Sequence, residues 1–435
     1  MTLALQQLDA SDADFTEQIE KYIEHARIIG SDIESSVRSI INDVRDRGDE
    51  AILDYTEQFD QIKVESVSAL RISEEQRAQL AQGVSSEWSD ALNKAAERIR
   101  RYAEKQLGQD WEFTDEIGVR LGQKIGAVDA VGLYIPGGKA AYPSSLLMNA
   151  IPAQVAGVER IVAMLPVPGG HLNPLLMYAL ELMQIDEVYA IGGAQAIAAL
   201  AYGTRTIAPV SKIVGPGNAY VNEAKRQVFG RVGIDMVAGP SEILIVADGT
   251  TPASWLALDL FSQAEHDERA RAILLCPDAD YLAQVHSEIE RLLPTMERNA
   301  VIEASLNNNG LLVKVADLQQ AIQIANAIAP EHLELAVDNA EQWIDYIKNA
   351  GAVFIGSYSC EVLGDYCAGS NHVLPTSGSA RFSSPLGVYD FQKRTSIVQC
   401  NAKAAAYLAE IAEPLATAEG LYAHAAAARS RIAEQ

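Results

Sequence analysis

The rhythm of apolar and polar positions changes three times along this chain. Residues 1–27 are a short polar stretch that reads as a helical segment, too small to fold alone. Between residues 30 and 110 the apolar positions recur at helical spacing, as in 35–44 and 91–99, so this region is predicted to be helical. Near Gly126 the pattern becomes strand, glycine, helix, and repeats. Short apolar runs fall at 127–134, 160–166, 187–191 and 211–214. A second series of strand-like runs follows at 242–247, 272–276, 310–315, 333–337 and 352–355. Such repeated units predict parallel α/β sheets covered on both faces. From about Asn401 the chain is rich in alanine, predicted helical, and broken at Pro414.

The expected organisation is therefore α/β, with two similar parallel-sheet domains and small helical segments at the two ends. Residues 129–240 form one domain. It is inserted between 28–128 and 241–381, which together form the other. Crossing points are expected near 126–130 and 236–241. Residues 1–27 and 382–435 are the helical end segments.

One predicted helix stands out, at residues 250–267. Thr251 is a good N-cap and Pro252 suits the first helical position. Residues 253–261 are apolar except Ser254 and Asp259, so most of this helix is expected inside the protein. Its end changes character. Gln263 and His266 lie three apart and share a face, where each can offer a lone pair to a metal. Glu265 and Asp267 are expected to face solvent. A polar helix end explains the same residues.

Charge narrows the partners. The 435 residues carry 34 Lys and Arg against 58 Asp and Glu, a formal charge of -24. So acidic a chain argues against nucleic acid and anionic membrane as partners. The start has no basic stretch followed by an apolar run, and no run is long enough for a membrane helix, so neither a signal peptide nor a membrane span is expected. Cys276, Cys360, Cys367 and Cys400 lack paired spacing and are expected to be reduced thiols in a cytoplasmic protein.

Four constellations can carry chemistry. Glycine-rich turns at 134–138, 192–195 and 215–218 stand at carboxyl ends of predicted strands, where open parallel sheets bind ligands. Glycine lets backbone approach closely and helix N-termini favour phosphate, which suggests a nucleotide. Tight strand-to-helix turns explain the same glycines, and no Gly-x-Gly-x-x-Gly fingerprint occurs. Glu331 and His332 sit between a helix that starts at Asp317 and must end before Pro330 and a strand beginning at Leu333. There they form an acid and base pair or a hydrogen-bonded loop. Asp365 lies in a glycine-flanked loop where a carboxylate could reach a metal, and His372 competes for that role. Glu419 and His424 are five apart on a helical tail, which splays them so that they would flank a ligand or face solvent. A cysteine nucleophile at Cys360 or Cys367 and a zinc hydrolase with Glu331 as base are the rival chemistries.

Several of these stretches occur together in one known family. Ile234-Asp-Met-Val-Ala-Gly-Pro-Ser-Glu242, Gly215-Pro-Gly-Asn218, Ser262-Gln-Ala-Glu-His266, Pro330-Glu-His-Leu333, Ser370-Asn-His-Val-Leu-Pro-Thr376 and Ala418-Glu-Gly-x-x-Ala-His424 all match it. On these residues the chain resembles histidinol dehydrogenase over essentially its whole length. The resemblance implies two incomplete Rossmann-like domains, of the aldehyde-dehydrogenase type. It implies zinc held by Gln263, His266, Asp365 and His424, with His372 outside the ligand set. Gln is an unusual neutral zinc ligand, so modest affinity and open coordination positions are expected. The implied contacts to L-histidinol are Ser241, Gln263, His266, His332, Asp365, Glu419 and His424. Those to NAD are Tyr134, Gln195 and Asn218. Glu331 and His332 are the implied catalytic groups: His332 takes the hydroxyl proton, and Glu331 activates water for the aldehyde. The tail is expected to pack on a second copy of the chain, giving a homodimer with shared sites.

Overall fold

The computed structural model describes residues 3–25, 31–137 and 142–432; Gly138, in the first of the glycine turns, lies outside them. In chain order the strands are β1 (Gln6–Asp9), β2 (Trp111–Thr114), β3 (Arg120–Ala127), β4 (Ala130–Tyr134), β5 (Arg160–Met164), β6 (Glu187–Tyr189) and β7 (Lys212–Val214). They continue with β8 (Gly233–Ile234), β9 (Glu242–Ala247), β10 (Arg271–Cys276), β11 (Leu311–Lys314), β12 (His332–Ala336), β13 (Ala352–Ile355) and β14 (Gln392–Gln399). Both strand series form parallel sheets as the patterning predicts. The first is five-stranded, in the order β6-β5-β4-β7-β8. The second is six-stranded, in the order β1-β11-β10-β9-β12-β13.

Burial follows from the topology. Every residue of β4, β9, β10 and β12 is buried, because helices cover both faces of a parallel sheet. Alternation splits each strand between two cores. Val131, Leu133 and Ile135 pack under the helices Pro143–Ala156 and Ser86–Glu104, while Ala130 and Tyr134 join the core of the helix Gly193–Tyr202. In the other sheet Ile243 and Ile245 face the helix Ala253–Ala264, and Leu244 and Val246 face the helix Leu318–Ile328.

The domain outline differs from the expected one in three places. The leading helices belong with the five-stranded sheet. Val37, Ile41, Val44, Leu92 and Ile99 bury their apolar faces in its two cores and none packs on the six-stranded sheet. The N-terminal segment is not wholly helical, because Gln6–Asp9 pairs with β11 as an edge strand. Nor is the 382–435 segment, since β14 pairs antiparallel with β3 and, with β2, builds a third sheet. A partner strand distant in sequence decides each of these, and local periodicity carries no record of it.

The helix expected at 250–267 runs from Ala253 to Ala264. Thr251 does not cap it; its hydroxyl lies 3.3 Å from the Ala336 carbonyl and 2.7 Å from Ser357 Oγ, at the end of the sheet. The helix is also one-sided: Trp255 and Leu258 are 41% and 43% exposed, and Trp255 meets Tyr358 edge to face. By contrast, the corner at Glu331 is as read. Asp317 caps the helix Leu318–Ile328 by accepting from the Gln320 N–H at 2.8 Å, and β12 starts at His332. Among the described residues no helix is long and apolar enough to cross a membrane.

Candidate active site

The two parallel sheets present opposite ends to one cleft of about 1530 Å³. From the five-stranded sheet comes its carboxyl end, where Asn218 follows β7. From the six-stranded sheet comes its amino end, where Glu242, Arg271 and His332 open β9, β10 and β12. Residues 235–241 cross between them and bring Ser241 to the wall.

Glu242 organises the centre. Its N–H donates to Glu331 Oε2 at 2.9 Å, and its carbonyl accepts from His332 Nδ1 at 3.1 Å. Its carboxylate is pinned in turn by the Arg271 guanidinium at 3.1 Å and the Ser377 N–H at 2.9 Å. Arg271 also donates to the Tyr22 carbonyl at 2.9 Å and lies 3.9 Å from the centre of that ring. A carbonyl can only accept, so Nδ1 of His332 carries a proton and Nε2 faces Asp365 Oδ1 at 3.3 Å. His372 is held similarly. Its Nδ1 donates to the Asp365 carbonyl at 2.9 Å and its Nε2 accepts from Ser145 Oγ at 3.2 Å. Both ring nitrogens are thus occupied, and His372 buttresses the Asp365 backbone.

Gln263 and His266 reach the same cleft from the end of the helix Ala253–Ala264. Gln263 is buried, and its amide is satisfied when it donates to Glu361 at 2.5 and 3.0 Å and accepts from the Glu242 N–H at 3.1 Å. Glu265 and Asp267, expected in solvent, line the cleft and are half-buried. They do so because the helix stops at Ala264 and the chain turns along the cleft wall.

So many carboxyl groups out of water disturb each other's protonation. Burial pushes Glu331 up to about 8 and Glu361 well above the usual carboxyl range. Burial alone would lower His332, but Glu361, Glu331 and Asp365 together raise it well above the ordinary histidine value. Desolvation in the cleft lowers His266. Asp365 resists burial and stays below its ordinary value because His332, His372 and His266 surround it.

Ligand atoms of His332, Glu361 and Asp365 lie within 4.8 Å of one another, close enough to share a metal ion. Glu361 was not among the residues singled out in the sequence. Its spacing of four from Asp365 on a helical stretch is the signal that could have found it.

The remaining expected residues fall in two groups. Tyr134 and Gln195 do not line the cleft; both are buried beneath the turn at Gly193, whose N–H donates to Tyr134 Oη at 3.1 Å. A Cβ at Gly193, with φ +67°, would lie 2.6 Å from the Gln195 amide oxygen. Glu419 and His424 stand exposed on the tail, outside the cleft of their own chain. The cysteines supply no nucleophile to the cleft: none lines it, and burial raises the Cys360 thiol, against thiolate formation.

The family model described as histidinol dehydrogenase matches residues 24–432. The chain belongs to the histidinol dehydrogenase family. It is 54% identical to a histidinol dehydrogenase of Nitrosomonas europaea over 429 residues, covering 99% of both chains. A histidinol dehydrogenase of Pseudomonas savastanoi is 53% identical over 431 residues, 99% of this chain and 96% of that one. Among solved structures, the histidinol dehydrogenase of Elizabethkingia anophelis superposes with a TM-score of 0.93 at 33% identity, covering 99% of each chain. Membership of the histidinol dehydrogenase family makes the chain an oxidoreductase acting on a small molecule, and the cleft described above is where its acid and base groups converge.

Proposed function

We propose that the chain is an L-histidinol dehydrogenase that oxidises L-histidinol through L-histidinal to L-histidine, the closing step of histidine biosynthesis. The observation that carries this reading is the pairing of Glu331 and His332 on the two sides of the Glu242 backbone, facing one cleft.

The donor set fits zinc. Gln263, His266 and Asp365 line one cleft and offer oxygen and nitrogen, the donor atoms zinc accepts. His424 of a second copy would complete the set. When bound, zinc supplies the positive charge that orients the substrate's amine and imidazole.

The five-stranded sheet fits NAD. Asn218 faces the cleft at a helix N-terminus, and both polar atoms of the buried Gln195 amide lack a partner among the described residues. An unpaired buried amide is costly, which favours a ligand hydrogen bond there. When bound, NAD accepts the hydride in each oxidation.

His332 acts first. Once Asp365 is engaged in the ligand set, Nε2 of His332 loses one of the groups that keep it protonated and can take the hydroxyl proton. Glu331 acts second, as the carboxylate that takes a proton from water while it adds to the aldehyde. The hydrate then loses its second hydride and leaves the carboxylate of histidine. Reduced thiols at all four cysteines suit a cytoplasmic enzyme.

The tail favours a homodimer with shared sites. Leu415 and Tyr422 are 61% and 71% exposed beside Glu419 and His424, an apolar surface that a second copy would cover. The reading is tested by adding L-histidinol and NAD to zinc-loaded protein. Absorbance of NADH should rise to two equivalents per histidinol. No rise would overturn it.

A further inference from the structure

Lys225 and Asp235 form an ion pair that the chemistry above does not use. The Lys225 side chain is 0% exposed and that of Asp235 is 1% exposed, with Nζ 2.5 Å from Oδ1. Both residues also hold Gly215. Lys225 Nζ donates to the Gly215 carbonyl at 2.8 Å, and Asp235 Oδ2 accepts the Gly215 N–H at 2.8 Å. The two polar groups of one glycine are therefore clamped by the two ends of one buried ion pair.

That glycine is a weak point in the fold. Its φ is +113°, and a Cβ there would lie 2.1 Å from the Tyr134 carbonyl oxygen. Only glycine fits, and glycine has the least intrinsic preference for one conformation. Three residues on, Asn218 accepts from the Tyr220 and Val221 N–H groups and starts the helix Ala219–Val228, which carries Lys225. Asn222 Nδ2 then ties the Gly217 carbonyl, at 2.9 Å, to that of Ala238, at 2.7 Å, in the crossing that leads to Ser241.

We propose that the Lys225–Asp235 pair is a positioning pair that fixes the Gly215–Asn218 turn in the shape that receives the cofactor. This rests on the reading of Asn218 as a cofactor contact. A buried ion pair contributes little net stability compared with apolar side chains of the same volume, so stability does not account for it. Specifying one conformation of a glycine turn does.

The test uses zinc-loaded, full-length protein and calorimetric titration with NAD and, separately, with L-histidinol. In the double variant Lys225→Met with Asp235→Leu, the Kd for NAD should rise about tenfold, because both charge-assisted hydrogen bonds that hold Gly215 are lost. KM for NAD should rise with it while the Kd for L-histidinol and kcat hold. Unchanged NAD affinity in the folded double variant would overturn the proposal, as would an equal loss for both ligands. Lys225→Met with Asp235→Asn removes the donor to the Gly215 carbonyl, keeps an acceptor for the Gly215 N–H, and decides the matter if the first double variant does not fold; wild-type NAD affinity in it would count equally against the pair. Loss of fold in both variants would make the pair a stability element and overturn the positioning role. Asn218→Ala separates the two readings. If it leaves NAD affinity intact, the cofactor reading of the turn fails; if it weakens NAD and the pair variants do not, only the positioning role fails.

Discussion

The Glu242 carbonyl lies 3.1 Å from His332 Nδ1, while the N–H of the same residue donates to Glu331 at 2.9 Å. Backbone groups of a buried strand cannot reorient without breaking the sheet. Glu242 therefore fixes Nδ1 of the imidazole and the direction of the carboxyl at once, and leaves Nε2 turned toward Asp365.

That arrangement lets the two groups proposed as catalytic be tested apart. His332→Asn should slow oxidation of L-histidinol about a hundredfold or more while leaving the aldehyde step less affected. Glu331→Gln should do the reverse, because the group that activates water is lost. Rapid-mixing kinetics with L-histidinol and with L-histidinal distinguish the steps. Equal losses in both variants on both substrates would contradict the division of labour.

Metal removal should abolish turnover. Gln263 and His266 come from one helix end and Asp365 from another segment, so the proposed ligand set would form only in the folded protein. Dialysis against a chelator, followed by added zinc, should take activity to background and back. Full rate in protein verified as metal-free by elemental analysis would rule zinc out as a participant.

Mixed dimers test the sharing of sites. Take His332→Asn in one chain and His424→Asn in another, each inactive as a homodimer. If the tail serves the neighbouring cleft, one site of the mixed dimer collects both defects and the other collects neither. Unfolding and refolding the two together should restore activity that neither has alone. Verified mixed dimers without activity would show that each tail serves its own chain.

Stability should fall with pH across a defined window. Burial pushes the Glu334 carboxyl up to about 8, with the nearby Asp259 adding to the shift. The unfolded chain gives up this proton near the ordinary value of 4.5. Between these values the folded state holds a proton that the unfolded state releases, so stability is greatest below the lower value and declines as pH rises toward 8. Glu334→Gln keeps the acceptor for the Glu361 N–H and removes the titration. Thermal melts of zinc-free protein should show a shallower decline in this variant, with Glu331, Glu361 and His332 contributing to the remainder. Identical slopes for the two proteins would refute the assignment.

Local chemistry is what the sequence by itself determined. The apolar runs and glycine turns gave both parallel sheets. Asp317 and Pro330 bounded the helix that delivers Glu331 and His332 to a corner, because capping and proline geometry act within a few residues. Gln263 and His266 read as sharing a helix face, but the helix ends at Ala264 and the turn after it carries His266 to the cleft. Tertiary structure alone decided the rest. The leading helices joined the five-stranded sheet, since an apolar helix face carries no record of which sheet it covers. Gln6–Asp9 and Gln392–Gln399 became strands because partners some 300 and 270 residues away accept their hydrogen bonds. Glu242 became the hub through its backbone, and every residue carries the same backbone groups, so no side-chain pattern announces that role. Nothing in the sequence around Lys225 marks it as buried, and only the approach of Asp235 and Gly215 makes its charge tolerable inside the protein.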